Sequence, residues 1–260
     1  MPRIAVVTGS ASGIGKATKA LLESRGERVI GADLHDADIV VDLTSVSGRA
    51  SLVDGVRRLS GGVIDAVYAV AGLALPVPAT LSVNYFGAIA TLSGLRPLLL
   101  DSPAPRAVVV SSMAALHPVD DALVAVLAAD DELSALAHAE VLAKEPATLG
   151  SLIYSSSKKA LSQWVRRQAA SAAWAGAGIP LNAVAPGIIA TPMTADLTAT
   201  PEATAELLKL VPMPLNGVAQ PPAVAHLLAW LGSEENTHLC GQVVYIDGGS
   251  DVVIRGDSVW

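Results

Sequence analysis

The sequence contains little cysteine, few aromatic residues and little charge. A single cysteine, Cys240, excludes a disulfide within the 260-residue chain. Charged residues make up 16% and hydrophobic residues 52%, a balance that argues against disorder and allows a large core. The net charge of −7 argues against nucleic acid and anionic membranes as partners. The five histidines show no metal-ligand spacing, so we predict no metal site.

No hydrophobic run is long enough to cross a membrane. The longest candidate, residues 63–79, is interrupted by Asp65, Pro76 and Pro78, whereas a spanning helix needs about 20 apolar residues. A first strand that begins near Arg3 argues against a signal peptide. The length suits one large α/β unit, and we therefore expect a single cytoplasmic domain over residues 1–260.

Short apolar runs alternate with longer helical patterns along the chain. The expected strands are Ile4–Thr8, Arg28–Asp33, Ile39–Asp42, Val63–Val70, Ala107–Ser112, Ile179–Val184 and Gln242–Ile246. Apolar strands joined by helices indicate a parallel sheet covered on both faces, and right-handed crossovers give a doubly wound, Rossmann-like α/β fold. We also predict an Ala-rich helical insertion over residues 118–150 and a mobile substrate lid over residues 190–214.

A glycine-rich turn follows the first strand. Gly9, Gly13 and Gly15 stand in the run Thr-Gly-Ser-Ala-Ser-Gly-Ile-Gly, ahead of an amphipathic helix. Glycines let the backbone turn tightly and approach a phosphate, and the helix N-terminus offers unpaired N–H groups. Because this motif lies between a strand and a helix, it predicts dinucleotide binding rather than an ordinary strand–helix turn.

Asp33 ends the second strand. A carboxylate there can accept hydrogen bonds from both ribose hydroxyls of NAD and would repel the 2′-phosphate of NADP. The next residues are Leu34, His35 and Asp36, with no adjacent arginine or lysine. We therefore predict NAD as the cofactor. The alternative is that Asp33 only caps a turn.

Tyr154 and Lys158 are four residues apart on a predicted helix, so their side chains lie on one face. A neighbouring ammonium group is expected to lower the pKa of the phenol from about 10 towards the range of an acid/base catalyst. The alternative is an ordinary surface pair. Ser112 or its competitor Ser111, at the end of a strand, could stabilise charge on a substrate oxygen, and strand alternation turns the two to opposite faces.

The glycine loop and the run Tyr154-Ser155-Ser156-Ser157-Lys158 together resemble the short-chain dehydrogenase/reductases. Further matches follow in the family's order: Asp42-Leu43, Asn84 within Val83–Gly87, Ser112, residues 182–187 with Ile189 and Thr191, and Asp247-Gly248-Gly249. One departure is Val70-Ala71-Gly72, where the family usually has Asn-Ala-Gly. The insertion and the C-terminal tail are similar to the bacterial 3α-hydroxysteroid dehydrogenase/carbonyl reductase subgroup.

The resemblance implies an NAD(H)-dependent oxidoreductase that interconverts hydrophobic secondary alcohols and ketones, whether steroid, aryl or alicyclic. It implies that Ser112 rather than Ser111 contacts the substrate, and that Asn84 holds a water linking Lys158 to solvent. A structural bond is the alternative for Asn84. The predicted catalytic residues are Asn84, Ser112, Tyr154 and Lys158. The predicted cofactor-binding residues are Gly9, Ser12, Gly13, Ile14, Asp33, Asp42, Leu43, Ala71, Gly72, Tyr154, Lys158, Pro186, Gly187, Ile189 and Thr191.

Two other functions are weighed against this one. A non-catalytic, dinucleotide-binding regulatory protein is the main alternative, but such proteins typically lose the tyrosine or the lysine, and both are present here. A dehalogenase on the same fold replaces the nucleotide loop with a halide site, and the glycine motif is intact. The C-terminal tail, residues 252–260, favours a homo-oligomer, either a dimer or a tetramer, because an exposed Trp260 could wrap a neighbouring subunit.

Overall fold

Seven parallel strands form one sheet in the order β3-β2-β1-β4-β5-β6-β7. They are β1 (Ile4–Thr8), β2 (Arg28–Asp33), β3 (Ile39–Val40), β4 (Ala66–Ala69), β5 (Arg106–Val110), β6 (Leu181–Pro186) and β7 (Val243–Ile246). The computed structural model describes residues 2–144 and 152–259. Residues 145–150 of the predicted insertion and Trp260 of the predicted tail lie outside them. The prediction of a doubly wound α/β fold is confirmed.

Helices connect the strands on both faces of the sheet. The longer ones are α1 (Gly13–Ser24), α2 (Val46–Ser60), α3 (Ala88–Leu99), α4 (Asp121–Ala128), α5 (Glu132–Leu142), α6 (Leu152–Ala169), α7 (Pro201–Leu210), α8 (Pro221–Leu231) and α9 (Ser250–Arg255). A short turn, Ala79–Leu81, and a π-helical turn, Ser82–Gly87, lead into α3. The 3₁₀ turns are Met113–Leu116, Ala175–Ala177, Pro192–Thr194 and Asp196–Thr198.

The predicted strand ends differ from the observed ones where local hydrogen bonds compete with the sheet. β6 starts at Leu181 rather than Ile179, because the Ile179 N–H donates to the Trp174 carbonyl in the preceding turn. β3 ends at Val40, because the Asp42 side chain turns the chain by accepting a bond from the Thr44 N–H.

Two apolar layers cover the sheet. Alternate residues of β1 point into different layers: Val6 into a layer that includes Leu52, and Val7 into one that includes Leu228. The first layer contains α2, α3 and α6, and the second contains α1 and α8. The strands therefore have both faces buried, which explains their continuous apolar runs.

The described part of the insertion consists of α4 and α5, which join the first apolar layer through Leu123, Leu127 and Ala135. The predicted lid contains two 3₁₀ turns and α7. Val211 and Met213 from its end pack against Met113 and Ile188. Residues 191–194, at the start of the lid, lie at the carboxyl ends of the strands, where doubly wound sheets bind ligands.

Candidate active site

A cavity of about 390 Å³ opens at the carboxyl ends of the strands, at the reversal of strand order between β1 and β4. Its volume lies within the range of small-molecule sites. Every predicted cofactor-binding residue lines it, and so does Ser112. Asn84 lies behind the wall, bonded to Leu73, which does line the cavity. The fold therefore brings together side chains from the whole length of the chain.

The three glycines of the loop stand where a side chain would meet close neighbours. Gly9 has a φ of +70°, and a Cβ there would lie 3.0 Å from the backbone N of Ala71. A Cβ on Gly15 would lie 2.0 Å from the Gly9 carbonyl oxygen. Gly9 is thus needed for the turn and Gly15 for the contact between helix and loop. Gly13, at a φ of +50°, keeps the backbone bare where the loop faces Thr191.

The N-terminus of α1 opens into this cavity at Ser12, Gly13 and Ile14. Within the described part of the chain, the Ser12 side chain makes no capping bond to the first turn. The N–H groups and the positive end of the helix dipole are therefore available to an anion. A cradle of bare backbone beside such a helix end fits the pyrophosphate of a dinucleotide.

Asp33 lies at the end of β2 and lines the cavity. Its Oδ2 accepts a bond from the Ala11 N–H at 2.8 Å, and its Oδ1 accepts one from the Leu34 N–H at 2.7 Å. The carboxylate thus also steadies the glycine loop, so the turn-capping alternative describes part of its role. Each oxygen has further acceptor capacity for a ribose hydroxyl.

Asp42 and Leu43 form another wall of the cavity. The Asp42 Oδ1 accepts a bond from the Thr44 N–H at 2.8 Å. This backbone bond is the main reason why the pKa of the Asp42 carboxyl is held below its usual value. The carboxylate therefore stays charged at neutral pH and can accept a hydrogen bond from a bound ligand.

Ser112 and Ser111 point in different directions. The Ser112 hydroxyl lies on the side of Tyr154, where hydrogen bonding to the phenol lowers its pKa. The Ser111 Oγ donates to the Lys158 backbone carbonyl at 3.1 Å and lies 2.7 Å from the Ser162 Oγ. The hydroxyl on the side of the Tyr154 phenol is thus that of Ser112, and its contact with the substrate stays a prediction.

The two serines provide a matched pair of variants. We expect Ser112→Ala to lower kcat by about 10²-fold, because the predicted role of this hydroxyl is to stabilise charge on a substrate oxygen. Ser111→Ala removes the buried bonds to the Lys158 carbonyl and to the Ser162 Oγ, so we expect a loss of about 1–2 kcal/mol of stability with most of kcat retained. Steady-state kinetics and urea unfolding measure the two effects, and the reverse pattern would contradict the assignment.

Lys158 is buried beneath the cavity, at 4% exposure. Its Nζ donates to the Val110 carbonyl oxygen at 2.9 Å and lies 5.8 Å from the Tyr154 ring centroid. Burial lowers the pKa of this ammonium group to about 8. The surface-pair alternative is therefore wrong, because the lysine extends inward to the end of β5.

The sequence predicts that the pKa of Tyr154 is lowered, and in the protein alone it is raised instead. Burial raises the pKa of the phenol above 10.0, and the hydrogen bond from Ser112 lowers it only in part. The Lys158 Nζ is bonded to the Val110 carbonyl oxygen, and a Cβ on Gly72 would lie 3.6 Å from it. Spacing along the helix predicted the proximity of the two groups but not the desolvation that outweighs it.

Asn84 is fully buried in the π-helical turn. Its Oδ1 accepts a bond from the Leu73 N–H at 2.8 Å, and its Nδ2 donates to the Leu73 carbonyl at 2.8 Å and to the Ser157 Oγ at 3.3 Å. These contacts are the structural bonds of the alternative interpretation. The bonds hold Leu73 and the π-helical turn against Ser157, next to Lys158. The role of Asn84 in holding a water molecule stays a prediction.

The end of β6 and the loop after it close the other side of the cavity, with Pro186, Gly187, Ile189 and Thr191. The Gly187 N–H donates to the Ile246 carbonyl at 3.0 Å. A Cβ on Gly187 would lie 2.9 Å from the Cα of Asp247, so only glycine fits. Such bracing keeps backbone groups of the loop in fixed positions for a ligand.

Val70, which replaces the family's asparagine, lies next to the glycine loop. The Thr8 Oγ1 accepts bonds from the Val70 N–H at 3.0 Å and the Ala71 N–H at 3.1 Å. The Val70 side chain packs in the second apolar layer. The hydroxyl of Thr8 thus links the two loops without an asparagine.

Several cavity residues were not predicted: Ala32, Leu34, His35, Val41, Thr44, Val70, Leu73, Val83, Val110, Pro192, Met193 and Thr194. Thr194 could have been found from its spacing, because it stands three residues after Thr191 and the two form a reciprocal capping box. No sequence pattern could have indicated Val110, because it contributes a main-chain carbonyl. Across residues 2–144 and 152–259, no group of three His, Cys, Asp or Glu side chains could hold a metal ion.

Known proteins resemble this chain over nearly its whole length. A 3-alpha-hydroxysteroid dehydrogenase/carbonyl reductase from Comamonas testosteroni is 36% identical, over 97% of this chain and 98% of that protein. A cis-4-hydroxycyclohexanecarboxylate dehydrogenase from Sinomonas cyclohexanicum is 30% identical, over 96% and 97%. The crystal structure of a 3-alpha-hydroxysteroid dehydrogenase from Pseudomonas sp. B-0831, complexed with NADH, superposes with a TM-score of 0.89 at 36% identity, over 98% and 99%.

The fold and the cavity define an oxidoreductase built on a dinucleotide-binding sheet. A family model described as enoyl-(acyl carrier protein) reductase matches residues 124–251. Together with the full-length relatives, this match places the protein in the short-chain dehydrogenase/reductase family. The family prediction is confirmed, and so is the similarity to the 3α-hydroxysteroid dehydrogenase/carbonyl reductases.

Proposed function

We propose that this protein is an NAD(H)-dependent dehydrogenase/reductase that interconverts hydrophobic secondary alcohols and ketones. The observation that carries the proposal is the grouping of Tyr154, Ser112 and Lys158 in the cavity that also contains the glycine loop and Asp33. Two relatives of the chain are named as dehydrogenases of hydroxysteroids and of a hydroxycyclohexane carboxylate. Steroid, alicyclic and aryl ketones are accordingly the substrate classes to test.

The residues divide the chemistry among them. When bound, the nicotinamide supplies the donor or acceptor of hydride. In reduction, the Tyr154 hydroxyl donates its proton to the carbonyl oxygen, and in oxidation the phenolate oxygen takes the proton of the alcohol. The Ser112 hydroxyl donates a hydrogen bond to the same substrate oxygen. Lys158, bonded to Val110, places a positive charge beneath the cavity and favours the phenolate when protonated.

The apolar surroundings support an uncharged substrate. Leu73, Ile189 and Met193 line the cavity, and Met113 and Met213 pack behind it. Methionine side chains are adaptable and suit bulky apolar ligands. A panel of steroid, aryl and alicyclic ketones with NADH tests the class. Binding of NADH without turnover of any of them would favour the regulatory alternative.

Asp33 is proposed to select NAD over NADP. We expect Asp33→Asn to lower the ratio of kcat/KM for NAD to that for NADP by about tenfold or more, because it removes a charge that repels the 2′-phosphate and one ribose acceptor. Asp36→Asn is the matched control, since this exposed residue has a φ of +50° that asparagine tolerates. An unchanged ratio in Asp33→Asn would contradict the proposal.

Cytoplasmic location and a homo-oligomeric state, either dimer or tetramer, remain part of the proposal. No helix within the described residues is long and apolar enough to cross a bilayer. Exposed apolar side chains on α9, at Val252, Val253 and Ile254, support a subunit contact near the C-terminus. Light scattering coupled to size exclusion measures the subunit number directly.

A further inference from the structure

Arg49 is a buried cation that bonds separate segments of the chain. It lies in the first turn of α2 and is only 8% exposed. Its Nε donates to the Leu43 carbonyl at 2.8 Å, and its Nη2 donates to the carbonyls of Thr44 at 3.3 Å and Ser82 at 2.9 Å. One guanidinium therefore ties the loop after β3 to the start of the π-helical turn.

Glu132, the first residue of α5 in the insertion, completes the network. Its Oε2 lies 2.7 Å from the Arg49 Nη1, and its Oε1 lies 2.6 Å from Nη2. This two-pronged geometry is the strongest form of a charge-assisted hydrogen bond. Arg49 also lies over the Phe86 ring, with 5.9 Å between Cζ and the centroid. The insertion thus supplies the negative charge that balances a buried guanidinium.

The loop held by Arg49 is one wall of the cavity. Asp42, Leu43 and Thr44 all line it. The loop is packed tightly from two sides, since a Cβ on Gly48 would lie 1.9 Å from the Asp42 carbonyl oxygen and one on Gly87 would lie 3.2 Å from the Leu43 Cβ. Well-packed regions transmit strain instead of absorbing it. A displacement of Arg49 would therefore move this wall.

We propose that the Arg49–Glu132 pair is a positioning device through which the insertion sets the affinity for the adenosine half of the cofactor. The inference rests on the proposed function, in which this cavity binds a dinucleotide whose adenosine ribose lies at Asp33. Asp42 and Leu43 line the same cavity just after β3, the strand that pairs with β2 and its Asp33. Neither Arg49 nor Glu132 is among the described residues that line the cavity. The pair therefore acts on binding, and the proton transfer at Tyr154 does not depend on it.

Glu132→Gln tests the proposal, because it removes the charge and keeps the size of the side chain. We expect the dissociation constants of NADH, from fluorescence titration, and of AMP, from calorimetry, both to rise about tenfold, equivalent to about 1.4 kcal/mol. With a ketone that the wild type reduces, kcat at saturating NADH stays within about twofold, since only uniform binding is lost. The AMP measurement needs no turnover and reports on the adenosine site alone.

Asp131→Asn is the matched control on the same helix. Asp131 caps α5 by accepting a bond from the Ser134 N–H at 3.0 Å, and asparagine caps equally well. It removes the same charge one residue away, and we expect both dissociation constants to stay unchanged. Arg49→Lys is a second test, because lysine keeps the charge but loses the two-pronged geometry. We expect it to repeat the effect of Glu132→Gln.

Unchanged affinities for NADH and AMP in both Glu132→Gln and Arg49→Lys would overturn the inference. Equal weakening in Asp131→Asn would do the same, because the effect would then come from helix stability. A fall in kcat at unchanged affinity would assign the pair to the chemistry and reject the positioning role. If the wild type bound neither NADH nor AMP, the proposed function would fail, and this inference with it.

Discussion

Replacing Tyr154 with phenylalanine is expected to lower kcat for ketone reduction by about 10³–10⁴-fold, the contribution of a positioned general acid. The substitution removes the hydroxyl that we propose as the proton donor and keeps the ring. We expect the dissociation constant of NADH to stay within about threefold, since the hydroxyl contributes little to uniform binding. Absorbance of NADH measures turnover, and fluorescence titration measures binding.

Tyr245→Phe serves as the control for this variant. Tyr245 is a half-buried tyrosine of β7 that packs beside Met213 and lies 5.2 Å from the Cζ of Arg255. It has the same chemistry in another environment, and we expect it to keep most of the wild-type kcat. If Tyr154→Phe retained more than about a tenth of the activity, the role of general acid would have to be assigned to another group.

Replacing Lys158 with methionine is expected to stabilise the protein while nearly abolishing catalysis. Burial lowers the pKa of Lys158 from 10.5 to about 8, so at pH 7 the folded state holds an ammonium group that is poorly solvated. We expect the free energy of unfolding at pH 7 to rise by about 1–3 kcal/mol, since part of the gain is offset by the lost bond to Val110. We expect kcat to fall by about 10³-fold.

The stability of the wild type should depend on pH in a matching way. Between pH about 8 and 10.5 the unfolded chain binds the proton of Lys158 and the folded protein does not. This contribution to stability therefore rises with pH across that window, and below about pH 8 the cost of the buried charge is present in full. Urea unfolding at several pH values, without dinucleotide, should show this rise in the wild type and not in Lys158→Met. A less stable methionine variant at pH 7 would contradict the expectation.

Local patterns predicted most of the fold and the lining of the cavity. The strand order of a doubly wound sheet follows from apolar strands joined by helices, and Gly9, Asp33 and Gly187 each come directly after or at the end of a strand. Because the carboxyl ends of parallel strands meet at one edge, residues that are distant in sequence converge there. The predicted cofactor-binding residues and Ser112 therefore line one cavity, with Asn84 behind its wall, and their individual roles stay predictions.

Contacts to main-chain carbonyls could not be predicted. Lys158 bonds to the Val110 carbonyl, and Arg49 bonds to the carbonyls of Leu43 and Ser82. Every residue carries a carbonyl group, so no sequence pattern marks the acceptor. The pairing of Arg49 with Glu132 joins two helices whose relative position depends on how the insertion packs.

The amino-acid sequence by itself determined the parallel sheet, the bare glycine loop and a tyrosine one helical turn from a lysine, since each depends on residue type and short-range spacing. Only the tertiary structure decided how far each of these groups is withdrawn from water. Burial raises the pKa of Tyr154 and lowers that of Lys158, and it turns Arg49 into a cation that needs Glu132. Desolvation depends on every chain segment that packs around a group, and spacing along one helix does not contain that information.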